Sequence, residues 1–251
     1  MIASTEHRPW PLPDRPWVMA MRWHDLLLMH WPIDAALLRP LIPPSLEIDT
    51  YDGQAWLGVV PFHMTGVRPR FLPALPGLSA FAEINVRSYV TVENKPGVWF
   101  FSLDAAKRPA VWGARWSYHL PYYFAQISVQ HIGNGIVYES TRHNGGAHFA
   151  ASYQPTGQPY RSAPGSIDHW FSERYCLYAA DNKGRLYRGD IHHLPWPLQA
   201  AAAEIQSNTM TVPLGIRLPA MPPLLHFARR LDAVGWWPEL VIGHSSLVIR
   251  E

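Results

Sequence analysis

The amino-acid sequence predicts one β-rich α+β domain, folded as an antiparallel β-barrel with a few peripheral helices. The 25 prolines and 17 glycines are spread along the chain, and such frequent turn residues indicate many short elements rather than a few long helices. Several segments also alternate between apolar and polar residues with the period of two that is typical of strands. Closure into a barrel is expected because it leaves no unpaired strand edges.

Composition narrows the class of protein further. Of the 251 residues, 48% are hydrophobic and 12 are tryptophan, which is typical of a chain with a packed core. No linker-like segment divides the chain, so we expect a single domain over residues 1–251, with residues 1–20 as a peripheral N-terminal extension. The net charge of +2 and the dispersed arginines form no basic stripe, so we expect no nucleic-acid partner.

The sequence also carries information about the compartment. Residues 1–17 are rich in proline and charge, where a signal peptide needs an apolar segment. No apolar run approaches the ~20 residues of a membrane-spanning helix. Cys176 is the only cysteine, which excludes an internal disulfide and is compatible with a reducing compartment. We therefore expect a cytoplasmic protein with no membrane partner.

Turn and cap residues predict the first elements. Residues 23–31 are mostly apolar and predict a strand. Asp34 is the expected N-cap of a short helix within residues 33–41. The dipeptide Asp52-Gly53 predicts a two-residue hairpin turn between two strands.

Residues 82–92 alternate most clearly and predict a strand with two chemically distinct faces. A partner strand over residues 98–103 is expected to form a hairpin with it. One face is apolar and carries Ile84, Val86, Val90 and Val92; the other carries Glu83, Asn85, Arg87, Tyr89 and Thr91.

The rest of the chain continues the pattern of short elements. It predicts strands over residues 122–131, 136–142, 147–153, 175–180 and 185–193, and helices over 105–116, 166–173 and 222–237. Residues 198–206 stay ambiguous, because four consecutive alanines favour a helix whereas the hairpin context favours a strand.

Several common chemistries leave no trace in the sequence. No glycine-rich phosphate-binding motif occurs between a strand and a helix, and neither H-E-x-x-H nor a cysteine pair is present. No G-x-S-x-G motif marks a serine nucleophile. Cys176 has apolar neighbours typical of a buried, inert thiol. We therefore expect no metal and no cofactor.

The polar face that begins at Glu83 has two interpretations. On a solvent-facing sheet such a row needs no special explanation. In a barrel lumen, a carboxylate, an amide and a guanidinium would instead line a pocket at intervals of ~6–7 Å. The excess of aromatic residues favours the lumen, because small-molecule pockets are mostly apolar with a few convergent polar groups.

Motifs along nearly the whole chain resemble the YqjF-like family of uncharacterised bacterial proteins, which is grouped with the acetoacetate-decarboxylase-like superfamily. They lie at residues 30–32, 37–43, 55–62, 83–87, 120–123, 173–175, 195–198 and 208–210. The resemblance implies a cone-shaped antiparallel barrel with an internal cavity. It implies no activity, since the function of the YqjF-like branch is unassigned.

The sequence differs from the acetoacetate decarboxylases at the residues that are catalytic in those enzymes. Acetoacetate decarboxylases have a segment R-E-x-x-G-F-P-K-K, whose first lysine forms a Schiff base with the substrate. The segment from Arg115 to Tyr123 is similar but has Tyr122 and Tyr123 in place of the two lysines. A phenol cannot form an imine. The alignment therefore predicts a retained scaffold without Schiff-base chemistry.

We expect a barrel that binds a small organic carboxylate or carbonyl compound. Glu83 and Tyr122 are the predicted reactive pair, with Tyr122 reaching the same pocket as Glu83 and Tyr123 packing elsewhere. The predicted ligand-binding residues are Asn85, Arg87, Arg115, His119 and Gln126. One alternative is a lyase, hydratase or isomerase with Tyr122 as acid and Glu83 as base.

A second alternative is a structural or interaction protein with a packed lumen. A cavity lined by Glu83, Arg87 and Tyr122 would exclude this alternative, and a strongly raised carboxylate pKa would favour the enzyme. Assembly into a homo-oligomer is left open by the sequence.

Overall fold

The structure, a computed structural model, describes residues 4–108 and 118–241. Two short α-helices, α1 (Ala35–Leu38) and α2 (Ile167–Ser172), and two 3-10 helices at Arg39–Leu41 and Val212–Leu214 lie among the strands of these ranges. The strands are β1 (Met19–Ile33), β2 (Glu47–Ile48), β3 (Ala55–Pro69), β4 (Phe81–Val92), β5 (Lys95–Ala105), β6 (Tyr122–Ile132), β7 (Gly135–Arg142), β8 (His148–Pro155), β9 (Cys176–Ala180), β10 (Leu186–His193), β11 (Leu198–Asn208), β12 (Leu224–Gly235) and β13 (Glu239–Leu240).

The strands close into a barrel, as the sequence predicts. Strand β5 pairs with both β4 and β6, so the order β4-β5-β6-β7-β8-β11-β12-β1-β3 returns to β4. A second closed path runs from β5 through β9 and β10 to β12. The pairings of β5 with β6 and β9 are parallel and the others are antiparallel, so the barrel is mixed rather than purely antiparallel.

Strands β12, β1, β3, β4 and β5 belong to both closed paths. One apolar core lies on each of the two faces of these strands. The first core joins β1, β3 and β4 to β7 and β8; its members include Leu27, Val59, Ile84, Tyr138 and Phe149. The second core lies on the other face, against β9. Its members include Leu28, Phe62, Phe81, Leu103, Tyr122 and Leu177. Because residues alternate along β4, the face of Phe81 and Glu83 points into the second core.

Local chemistry explains the start of the fold. The Asp34 side chain accepts a hydrogen bond from the Ala36 N–H at 2.8 Å and so caps α1. Asp52 and Gly53 have φ values of 50° and 77°, the left-handed pair that a tight hairpin turn requires. The cap and the turn are confirmed, but the turn joins only the isolated bridge between Tyr51 and Gln54, because β2 pairs with β4 rather than with β3.

The structure corrects the predicted secondary structure of one segment and decides that of another. Residues 222–237 do not form a helix, because β12 occupies most of this segment and pairs with β1. Phe227 lies in the first core and Ala228 in the second. Because both faces of β12 are buried here, its sequence does not alternate between apolar and polar residues. The ambiguous residues 198–206 form part of β11, in which Ala201, Ala202 and Ala203 pair with β8.

The predicted helix over residues 105–116 lies mostly outside the described residues, and Ala105 ends β5. Among the helices that the structure does describe, none is long and apolar enough to cross a membrane.

Candidate functional site

A buried carboxyl–phenol pair lies where β4, β5 and β6 meet. Strand β5 separates the other two strands, and its register places Ala105 beside Glu83 and Leu103 beside Tyr122. The Tyr122 hydroxyl donates a hydrogen bond to Glu83 Oε2 at 2.8 Å. Glu83 is 2% exposed and Tyr122 is 8% exposed. The structure therefore brings together the two residues that the sequence predicts to be a reactive pair.

Burial changes the acidity of this pair. It raises the pKa of Glu83 from 4.5 to about 7, although hydrogen bonds from Tyr122 and Asn85 oppose the shift. Burial, followed by the charge of Glu83, raises the pKa of Tyr122 well above its ordinary value. Glu83 can therefore gain or lose a proton near neutral pH, while Tyr122 stays a hydrogen-bond donor.

The other polar residues of β4 share the face of Glu83. Asn85 is 4% exposed and Arg87 is 9% exposed, so the row does not face bulk solvent. The Asn85 side chain, like that of Tyr122, acts to lower the pKa of Glu83 and so opposes the effect of burial. Arg87 lies next to Tyr89, with its guanidinium carbon 5.8 Å from the centre of that ring. The row thus has a carboxyl end at Glu83 and a cationic end at Arg87.

A cleft of about 570 Å³ opens at the start of β6. Tyr122 contributes to its wall, whereas neither Glu83 nor Arg87 lines it. The predicted cavity lined by all three residues is therefore not the one found here. The cleft is lined by His119, Leu120, Pro121, Tyr122, Tyr123, Ala180, Asp181 and Asn182.

The remaining predicted ligand-binding residues do not lie together at one site. His119 borders the cleft with a left-handed φ of 54°, and its ring lies 4.8 Å from that of Tyr187. Gln126 is exposed on β6, so its predicted place in the lumen is wrong. Only the first residues of β6 pair with β5; from Ala125 onward β6 pairs with β7, and its even-numbered face meets solvent. Arg115 lies outside the described residues.

Strand alternation predicts that Tyr122 and Tyr123 point to different sites, but the structure separates the two side chains less than this. Tyr122 hydrogen-bonds Glu83, and both Tyr122 and Tyr123 line the cleft. The cleft lies at the end of the strand, where consecutive residues can both border it. Tyr123 is half-buried, and the Arg142 guanidinium carbon lies 4.0 Å from its ring centre.

A buried ion pair in the neighbouring core was not predicted from the sequence. Arg142 donates from Nε and Nη2 to the two Asp104 oxygens at 2.8 and 2.7 Å. Asp104 is fully buried, and its negative charge contributes to the raised pKa of Glu83. No local motif marks these residues, because 38 positions separate them along the chain. Their adjacency depends on the parallel pairing of β5 with β6.

Metal and thiol chemistry have little support in the described ranges. No group of three or more His, Cys, Asp or Glu residues there is arranged to hold a metal ion. Cys176 is buried, and burial raises the pKa of its thiol to about 12. A thiol in this environment is a poor nucleophile.

Comparison with known proteins extends these observations. Residues 20–232 match the model of the DUF2071 family, described as an uncharacterised conserved protein. The uncharacterised protein YqjF of Bacillus subtilis (strain 168) is 48% identical over 226 residues, which cover 90% of this chain and 93% of YqjF.

Solved structures show the same fold at low sequence identity. Acetoacetate decarboxylase from Legionella pneumophila has a TM-score of 0.64 and 12% identity, with 94% of this chain and 93% of that chain covered. The enduracididine biosynthesis enzyme MppR, in complex with pyruvate, has a TM-score of 0.62 and 11% identity, with 92% and 93% covered. An acetoacetate decarboxylase-like enzyme from Sphingomonas wittichii has a TM-score of 0.61 and 13% identity, with 93% and 98% covered.

Proposed function

The chain belongs to the DUF2071 family of uncharacterised conserved proteins, and we propose that its barrel binds a small organic carbonyl or carboxylate compound at the Glu83–Tyr122 pair. The observation that carries this proposal is the buried 2.8 Å hydrogen bond between the two side chains beside an open cleft. Tyr122 joins the two features, since it bonds Glu83 and also lines the cleft.

The protonation state of the pair supports an oxygen-bearing ligand. When Glu83 is protonated, the two side chains carry two O–H protons but need only one for their mutual hydrogen bond. The second proton is then available to a ligand oxygen. With the pKa of Glu83 at about 7, this state is well populated at neutral pH.

The fold neighbours are compatible with a ligand of this class. MppR was solved with pyruvate, which carries both a ketone and a carboxylate. The similarity to MppR is one of fold, so pyruvate serves here as a probe. Tyr122 stands where the decarboxylase resemblance places the imine-forming lysine, and hydrogen bonding therefore replaces covalent capture in the proposed site.

Tyr122→Phe tests the proposal directly. The variant removes one hydroxyl from the site, and we expect about fivefold weaker pyruvate binding by titration calorimetry, in keeping with the ~1 kcal/mol of a typical hydrogen bond. Tyr160→Phe is the matched control, because Tyr160 also donates to a carboxylate, that of Asp168 at 2.8 Å, but is exposed. A packed lumen predicts no pyruvate binding in the wild type, and equal affinities of wild type and Tyr122→Phe would contradict the assigned site.

A second candidate function, proton transfer, is favoured by the pKa of Glu83. A general base works best when its pKa lies near the working pH, and a value of about 7 meets this condition. Glu83 would accept a proton from the carbon next to a carbonyl that Tyr122 holds. The signature of this activity is exchange of the pyruvate methyl protons for deuterium in D2O, seen by NMR with the wild type and lost with Glu83→Gln.

A further inference from the structure

Arg87 is buried without a carboxylate partner among the described residues. Its side chain is 9% exposed. The equally buried Arg142 and Arg174 are each paired, with Asp104 at 2.7 Å and Asp49 at 2.5 Å. Of the residues outside the described ranges, 1–3 and 109–117 contain no Asp or Glu, and 242–251 contain one acidic residue, Glu251. Burying an unpaired cation is costly, so a missing anion is the natural explanation.

Strand pairing places two further residues with nitrogen donors beside Arg87. Gly58 on β3 pairs with His30 on β1 and with Arg87 on β4. A Cβ atom on Gly58 would lie 3.2 Å from His30 Nε2 and 3.3 Å from Arg87 Cγ. The absence of a side chain at Gly58 therefore lets His30 and Arg87 share one face. Trp56, two residues before Gly58, presents its side chain on the same face of β3.

Each of these three residues has an unused nitrogen. Arg87 Nε, His30 Nδ1 and Trp56 Nε1 are buried and make no hydrogen bond within the part of the chain that the structure describes. His30 Nε2 is occupied by the Tyr89 hydroxyl at 2.6 Å. Unsatisfied buried polar groups are uncommon in folded proteins. Three of them on neighbouring strands, beside a guanidinium that contacts Tyr89 but no carboxylate of the described residues, indicate a ligand that accepts hydrogen bonds.

The surrounding charge favours an anion over a neutral ligand. Burial and the positive charges of Arg87 and Arg174 keep the pKa of His30 well below its ordinary value, so His30 is neutral at pH 7. Arg174 is already paired with Asp49. The group thus has one uncompensated positive charge, which a monoanion would balance.

We propose that Arg87, His30 and Trp56 bind the carboxylate of a small organic acid. The inference deepens the proposed function, because Glu83 lies on the same face of β4, four residues or ~13 Å away along the strand. This inference rests on the proposed function. It identifies the ligand as an organic acid that has a carboxylate at Arg87 and another oxygen-bearing group at Tyr122. Arg87 would hold the carboxylate by a charge-assisted, forked hydrogen bond.

The test measures thermal stability while sodium acetate replaces sodium chloride at constant ionic strength. We expect a saturable rise in the melting temperature of the wild type. In Arg87→Met the apparent acetate affinity should fall at least tenfold. In the absence of acetate, the Arg87→Met variant should melt at or above the melting temperature of the wild type, because the substitution removes an unpaired buried charge. Arg230→Met is the control, since Arg230 is exposed and paired with Asp232.

Three results would overturn the inference. The first is a wild type that shows no saturable response to acetate, and the second is an Arg87→Met variant that keeps the response. The third is a collapse of the Arg87→Met melting temperature, which would reveal a structural partner for Arg87. Tyr122→Phe separates this inference from the proposed function, because it should keep the acetate response while losing affinity for pyruvate.

Discussion

Arg142→Met should destabilise the protein by about 3–5 kcal/mol, because it leaves the fully buried Asp104 without its cation. Asp104 receives two hydrogen bonds from Arg142, at 2.8 and 2.7 Å, and burial already raises its pKa. Without Arg142, folding must bury either a bare carboxylate or a newly protonated one. Urea unfolding measures the loss as a lower midpoint at an unchanged slope.

Two companion variants make this result specific to burial. Asp104→Asn combined with Arg142→Met removes the stranded charge and should recover part of the loss. Arg230→Met breaks an exposed ion pair with Asp232 and should cost less than ~1 kcal/mol. If Arg142→Met costs no more than Arg230→Met, then Asp104 is hydrated and the description of this core is wrong.

Phe171→Ala should cost about 3–5 kcal/mol, the usual range for a phenylalanine truncated in a core. Phe171 lies on α2 and is 2% exposed. Its ring stacks on that of His30 at 3.7 Å and meets the Trp56 ring edge-on at 5.2 Å. The truncation leaves a cavity beside two of the proposed carboxylate-binding residues. Calorimetric unfolding measures the effect.

Phe71→Ala is the matched control for Phe171→Ala. Phe71 is 88% exposed, in the loop between β3 and β4, so its truncation should change stability by less than ~0.5 kcal/mol. Equal losses in the two variants would contradict the packing of α2 over His30.

Much of the barrel was predictable because its strands carry local signals. Alternation over residues 82–92 identified β4 and its buried polar face, and Asp52-Gly53 marked a tight turn without any tertiary information. The segment that became β12 was harder. Neighbouring residues such as Phe227 and Ala228 are buried in different cores, so its sequence carries no clear period of two. Tertiary packing, rather than local preference, decides such a strand.

The site was predictable only in part, and for a related reason. Resemblance and alternation placed Glu83 and Tyr122 on a common pocket, and the structure joins them by a hydrogen bond. The same alternation failed at Gln126, because β6 leaves the shared sheet after its first residues and its even-numbered face meets solvent. Asp104, Arg142 and His30 carry no local signal of function. Their roles depend on pairings between distant strands.

The raised pKa of Glu83 makes the folded protein less stable as the pH rises. Its folded-state pKa of about 7 exceeds the ordinary value of 4.5, so the folded protein binds the proton more tightly than the unfolded chain. The stabilisation from this group is complete below about pH 4.5 and disappears as the pH rises through about 7. Over that window the contribution amounts to about 3 kcal/mol, at 1.4 kcal/mol for each pH unit.

Direct titration of the Glu83 carboxyl group tests the central claim of a buried, proton-sharing pair. NMR of protein labelled with carbon-13 at the glutamate carboxyl carbons follows each group with pH, and Glu83→Gln identifies the resonance of Glu83. We expect a midpoint near pH 7 for Glu83. A midpoint near 4.5, the value of a solvated glutamate, would contradict both the burial of the pair and the function proposed for it.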